Sequence, residues 1–143
     1  MPETHVAGQL KCQLVTPEKL VADQGADFVI ITAHDGQRGI LPEHAAILFR
    51  LAPGIMRIDA DNKQTYFFVD GGFAEVLDNQ VTVLTSQAIP ADKLDPQTID
   101  EELNLAEKMP ATTKEDQAKR DAALKIARAK RSVLVAIQSS HKK

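Results

Sequence analysis

The stretch Tyr66-Phe67-Phe68-Val69-Asp70-Gly71-Gly72-Phe73-Ala74-Glu75-Val76-Leu77-Asp78-Asn79-Gln80-Val81-Thr82-Val83-Leu84 decides the fold. Three runs of aromatic and β-branched residues, 66–69, 73–77 and 81–84, are separated by Gly71-Gly72 and by Asp78-Asn79. Runs of that kind suit a pleated sheet, and the residues between them are those that turn or kink an extended chain. The spacing therefore predicts short strands in antiparallel succession. Gly71 and Gly72 are read as a bulge or a tight crossing rather than as a binding loop. Towards the N-terminus the same grammar repeats. Asp61-Asn62 reads as a hairpin tip, and Pro53-Gly54 reads as a turn between Ile47-Leu48-Phe49 and Met56, Ile58. Phe28-Val29-Ile30-Ile31 is a further β-branched run, and Leu10, Cys12 and Leu14 alternate with Lys11 and Gln13 until Pro17 stops them. Turn signals at about every 8–12 residues predict a sandwich or barrel.

Beyond Ser86 the period changes. Asp95-Pro96 is a helix start, since Asp accepts from an early N–H and Pro lacks a donor that would be orphaned there. Ile99, Leu103 and Ala106 then share one face, and Pro110 ends the helix. Thr112 and Glu115 have capping-box spacing for a second helix, whose stripe is Ala122, Ile126, Ala129, Val133 and Ile137. A short connection makes the two helices an antiparallel hairpin. The fold expected is α+β: an N-terminal all-β flattened sandwich over residues 1–87, then a C-terminal two-helix hairpin over residues 88–143. Because the stripe is rich in alanine, which buries little apolar area, docking of the hairpin is expected to be weak.

The chain has 143 residues, 43% of them hydrophobic and 26% charged, with 17 Lys+Arg against 20 Asp+Glu. This is the balance of a globular domain and not of a disordered one. No run approaches the ~18 apolar residues of a membrane span, and the opening residues show neither the basic nor the apolar part of a signal peptide. The charge is uneven. Residues 112–143 hold 9 basic and 3 acidic side chains, whereas the rest of the chain is acidic. A basic end invites docking on an acidic surface, which includes the protein's own.

Signs of catalysis are few. His34-Asp35 and Glu43-His44 are acid–imidazole pairs of the type used for metals or general bases, but they lie in a Gly/Pro-rich stretch where polar residues serve turns. The single cysteine, Cys12, sits on an apolar-alternating strand and reads as a small buried hydrophobe, excluding an internal disulfide. No phosphate-cradling glycine motif and no Gly-x-Ser-x-Gly is present. No catalytic residue, metal or cofactor is assigned. An all-β binding module whose basic helix contacts nucleic acid or an acidic protein remains the alternative reading.

Two blocks carry a family resemblance. One is Gly36-Gln37-Arg38-Gly39-Ile40-Leu41-Pro42-Glu43-His44-Ala45 with Leu51-Ala52-Pro53-Gly54; the other is Asp70-Gly71-Gly72-Phe73-Ala74-Glu75-Val76 with Val81-Thr82-Val83-Leu84. Together with Leu14-Val15-Thr16-Pro17-Glu18 and the two terminal helices, they resemble the ε subunit of the bacterial rotary ATP synthase across nearly the whole chain. The resemblance implies a non-catalytic rotor subunit that joins the γ subunit to the membrane c-ring, couples ion flow to ATP synthesis and restrains ATP hydrolysis. It implies a hairpin able to extend towards the catalytic β subunits, no nucleic-acid partner, and a place on the cytoplasmic face of the bacterial membrane. Gly36, Gln37, Arg38, Gly39 and His44 match the family's ring-facing turn. Glu43 and Ala46 depart from its Pro-Gly-His-Ala-Pro. Some members bind ATP through an Asp-x-x-Arg motif at the first helix; here Asp95 stands but Thr98 replaces the arginine, so ATP binding is expected to be weak or absent even with Arg128 and Arg131 near. The face carrying Lys119, Lys125, Arg128, Lys130 and Arg131 is the expected inhibitory contact.

Overall fold

The computed structural model describes residues 9–141, with side chains through residue 139. The outermost residues of both expected domains, 1–8 and 142–143, lie outside the described residues, and so does most of the opening stretch read for a signal peptide. Eight strands are followed by two helices: β1 (Leu10–Val15), β2 (Leu20–Ala26), β3 (Phe28–Ala33), β4 (Gly36–Ile40), β5 (Ile47–Ala60), β6 (Lys63–Leu77), β7 (Gln80–Leu84), β8 (Ala88–Pro90), α1 (Pro96–Glu107) and α2 (Lys114–His141). The sheet order is β2-β1-β7-β6-β5-β3-β4, with β8 paired to β6.

The two long strands make the sandwich. Pro53-Gly54 is not a turn: β5 runs through it, with Pro53 opposite Asp70 and Gly54 opposite Val69. Both long strands continue through their glycines, and β6 changes its second partner there, from β8 at 67–69 to β7 at 73–77, so it serves both layers. Gly54 leaves room for Thr32, whose hydroxyl donates to the Ile55 carbonyl at 2.9 Å. Gly72 has a φ of +100°, and a Cβ there would run into the carbonyl oxygen of Leu84 and lie 2.9 Å from the Thr85 Cα. The expected tight crossing is therefore real, and only glycine fits it. Asp61-Asn62 and Asp78-Asn79 form the expected hairpin tips, with both residues of each pair at positive φ as two-residue hairpins require.

Inward-facing residues of both layers form one core, including Leu10, Cys12, Leu14, Val29, Ile31, Ile40, Met56, Ile58, Val76, Val81 and Val83. Phe67 and Val69 point into it, while Phe68 between them points out of the second layer and is fully covered by the hairpin. There it meets Ala91, Leu94, Ile99 and Val133, with Ile126, Ala129, Leu134 and Ile137 around them. A second small cluster, Leu103, Ala106, Leu124 and Ala127, joins α1 to α2. The second helix thus uses two stripes, and Ala122, assigned to the single stripe, is exposed. The sheet continues past residue 87 through β8, an edge strand where Pro90 is tolerated.

Candidate functional site

Three surfaces were candidates, and each is built differently. The first is the connection from β3 to β5. Gly36-Gln37-Arg38-Gly39 form an exposed edge strand, β4, paired residue for residue with β3, and the turn is made by His34-Asp35 instead. Arg38 does not point freely outward. Its guanidinium bonds to the Asp35 carboxylate and lies 5.6 Å from the Phe49 ring centroid, so the cation is held by a carboxylate and an aromatic face. That hydrogen bond keeps the Asp35 carboxyl below the ordinary aspartate range. The His44 ring centroid sits 6.4 Å from that of the same Phe49, and its Nδ1 donates to the Ala45 carbonyl at 2.8 Å.

Between Arg38 and His44 the chain makes a turn closed by His44 N–H donating to the Leu41 carbonyl at 3.2 Å. Pro42 occupies its second position and Glu43 its third, at φ +70°. A type II turn asks for glycine there, and a side chain in the left-handed region costs on the order of 1–2 kcal/mol. Asn79 offsets the strain. Its side-chain oxygen accepts from Glu43 N–H at 2.6 Å, and its side-chain nitrogen donates to the Glu43 carboxylate at 2.8 Å. Glu43, which stands where the family motif has glycine, is thus held in the left-handed region by a contact from a strand hairpin 36 residues away. Neither acid–imidazole pair belongs to a metal cluster: among the described residues no three His, Cys, Asp or Glu side chains converge. Burial pushes the Cys12 thiol up to about 12, helped by nearby Asp23, which makes it inert as a nucleophile.

The second surface is the hairpin. Asp95 caps α1, accepting from Gln97 N–H at 3.3 Å and from the Thr98 hydroxyl at 2.7 Å. Those bonds hold its carboxyl below the ordinary range. Where the family motif would supply an arginine, Thr98 instead turns back onto Asp95. In α2 the cap is Thr113, one residue later than the capping box predicts, and its hydroxyl accepts from Asp116 N–H at 3.0 Å. Lys119, Lys125 and Arg128 lie on the exposed face as expected. Lys130 does not. It is only 9% exposed, bonded to both Glu102 oxygens at 3.2 and 3.1 Å and set 5.5 Å from the Phe68 ring centroid. Arg131 reaches Asp100 at 2.7 Å. The acidic first helix and the basic second helix therefore neutralise each other. Docking of the basic end on the protein's own acidic surface was among the possibilities its charge raised, but partners 28 and 31 residues apart were not legible in the sequence.

The third surface was missed outright. On the outside of the first layer, Phe73 pairs with Leu84 across β6 and β7, and Leu48 on β5 lies diagonal to Phe73, whose direct partner there is Arg50. These side chains are 52%, 53% and 66% exposed. The signal was present in Phe73-Ala74-Glu75-Val76-Leu77: Ala74 and Val76 face inward, so Phe73 and Leu77 must face outward. An open concavity of about 410 Å³ lined by Val15, Thr16, Pro17, Gly72, Leu84, Thr85 and Ser86 adjoins this strip.

Comparison with known proteins gives a consistent picture. Residues 9–91 match the family described as ATP synthase, Delta/Epsilon chain, beta-sandwich domain. The chain is 40% identical over 119 residues to the ATP synthase epsilon chain of Rhodopirellula baltica, covering 83% of this chain and 93% of the relative. It is 40% identical over 126 residues to the epsilon chain of Nitratidesulfovibrio vulgaris, covering 87% and 94%. Among solved structures, a chain in the Euglena gracilis mitochondrial ATP synthase, an OSCP, F1 and c-ring assembly, superposes with a TM-score of 0.82 at 22% identity, over 93% of this chain and 86% of that one. These matches give no support to the reading as a nucleic-acid module.

Proposed function

The chain belongs to the ATP synthase delta/epsilon family, and from that premise we propose that it serves as a non-catalytic rotor subunit in the central stalk. The observation that carries this reading is the bare apolar strip of Leu48, Phe73 and Leu84 on a rigid sandwich. Phe73 and Leu84 paired across two strands, with Leu48 diagonal to Phe73 and none of the three covered by the described residues, are the kind of apolar surface that a protein partner covers, and the γ subunit is the partner proposed. The connection from His34 to His44 then faces the c-ring, with Arg38 and His44 braced on Phe49 as its polar tips. No helix among the described residues is long and apolar enough to cross a membrane. The proposed place, the cytoplasmic face of a bacterial membrane, is accordingly held through partners.

The hairpin supplies restraint of ATP hydrolysis. When docked, Lys130 and Arg131 satisfy Glu102 and Asp100 of α1. When it extends and α2 parts from α1, the same cations join Lys119, Lys125 and Arg128 in facing acidic surface on the catalytic β subunits. A weakly held element is the kind that a few kcal/mol of differential binding can shift. ATP has no part in holding the hairpin down in this proposal, since Asp95 is engaged by Thr98 and no arginine stands at that position.

The test is ATP hydrolysis by the cognate catalytic sector with the full chain added. The parent chain slows hydrolysis, and reversing the charges of Lys119, Lys125 and Arg128 relieves the slowing while the variant still joins the complex. Failure of the parent chain to join contradicts the rotor assignment. Equal inhibition by the reversed chain contradicts the role of the basic face.

A further inference from the structure

We infer that Asn79 is a positioning residue for ring docking: it holds the Leu41–His44 turn in its binding shape from the opposite side of the sandwich end. The inference rests on the rotor reading above and deepens it. The turn needs a left-handed residue at position 43, and the residue there is Glu43, at φ +70°. Unaided, a glutamate favours other turn shapes, which would swing the exposed Leu41 and the half-buried His44 away from the edge that carries Arg38. Asn79 closes a two-point clamp on it, accepting from Glu43 N–H at 2.6 Å and donating to its carboxylate at 2.8 Å. Only a side-chain amide offers an acceptor and a donor side by side; aspartate has no donor and alanine has neither.

The clamp is itself anchored. Asn79 lies in the β6–β7 hairpin tip at φ +62°, and its carbonyl accepts from Lys11 N–H on β1 at 2.8 Å. Three strands therefore fix the donor and acceptor before the turn meets them. His44, next to Glu43, is oriented in consequence. Its N–H closes the turn onto Leu41, and its ring rests near Phe49. The turn is thereby set before any partner arrives, which lowers the ordering cost of docking.

The test compares Asn79→Ala, Asn79→Asp, Glu43→Gly and the double variant Glu43→Gly/Asn79→Ala in the assembled synthase. The readouts are retention of the chain by the ring-containing complex, its affinity for the ring-free catalytic sector, and the thermal midpoint of each free chain. Asn79→Ala is expected to lower retention by the ring-containing complex about tenfold while affinity for the ring-free sector stays within about twofold of the parent, tenfold corresponding to about 1.4 kcal/mol. Asn79→Asp behaves like alanine, because it loses the donor and sets a second carboxylate against Glu43. Glu43→Gly takes the left-handed shape without help, so the double variant recovers most of the retention. Parent-like retention by Asn79→Ala overturns the inference, as does a double variant no better than Asn79→Ala. A fall in both affinities together with a lowered midpoint also overturns it, since the role is then merely structural. Failure of the parent chain to join either complex is a separate outcome, which overturns the rotor reading beneath it.

Discussion

The two outer faces of the sandwich carry the same kind of side chain and meet different fates. On the second layer Phe68 is fully buried, with the hairpin lying over it. On the first layer Phe73 stands half exposed near Leu84 and Leu48, with nothing from the described residues on it. The inner core between the layers is continuous and apolar, whereas the cover over Phe68 is a few apolar contacts closed by ion pairs at its rim. The difference separates what must stay from what can leave. Removing the hairpin exposes Phe68 and its neighbours but opens no part of the inner core.

The most severe way to break the comparison is to damage the frame common to both faces. Gly72→Ala places a methyl against the Leu84 carbonyl at a positive φ, where backbone cannot yield cheaply. The expected loss is several kcal/mol, seen as failure of cooperative thermal unfolding by circular dichroism. Next in size, Phe68→Ala removes the anchor of the covered face, at about 3–5 kcal/mol. Limited proteolysis should then cut within α1 and α2 while the β-domain remains intact. Simultaneous loss of both parts contradicts the separation.

Smaller changes sharpen it. Glu102→Gln leaves the Lys130 ammonium beside Phe68 without its charge partner. Loss of one partner of a buried pair costs about 3–5 kcal/mol, but Glu102 is 38% exposed on its side chain, so water screens the pair and about 1–2 kcal/mol is expected. The readout is amide exchange in the hairpin, faster in α1 and α2 and unchanged in β1 and β7. Acid acts on the same element. The Asp95 carboxyl is depressed in the folded state, so its contribution is present above its ordinary value of 3.8 and is lost as pH falls through the lower folded value. Below about pH 4, α1 is therefore expected to fray at its N-terminus before the sandwich responds, visible in the Gln97 and Thr98 amide shifts.

How much of this was legible in the sequence depends on whether a feature is local. The extended character of the apolar runs, the hairpin tips at Asp61-Asn62 and Asp78-Asn79, and the Asp95-Pro96 helix start depend on neighbouring residues alone and stand in the structure as read. The runs at 66–69 and 73–77, however, are one strand, β6, and those at 47–49 and 56–58 are one strand, β5. Strands β2 and β4 were not legible. Ala-Asp-Gln-Gly at 22–25 and Gly-Gln-Arg-Gly at 36–39 have little strand character, and pairing with β1 and β3 decides their conformation. Pro53-Gly54 misled for a similar reason, since its partners on β6 lie 15 and 17 residues away and hold it extended. At the functional surfaces, the exposed lysines of α2 were readable from periodicity. Burial of Lys130 was not, because it depends on Glu102 and Phe68, which no local window contains. The Glu43–Asn79 clamp is likewise a contact between distant loops that only the fold brings together.

The central claim is that the bare face, not the covered one, carries the chain into the stalk. Affinity of the Phe73→Asp variant for the catalytic sector tests it most directly, because an exposed residue can be changed with the fold left standing. The account predicts a loss of at least tenfold, about 1.4 kcal/mol or more, with a thermal midpoint like that of the parent. Parent-like affinity at an unchanged midpoint contradicts it.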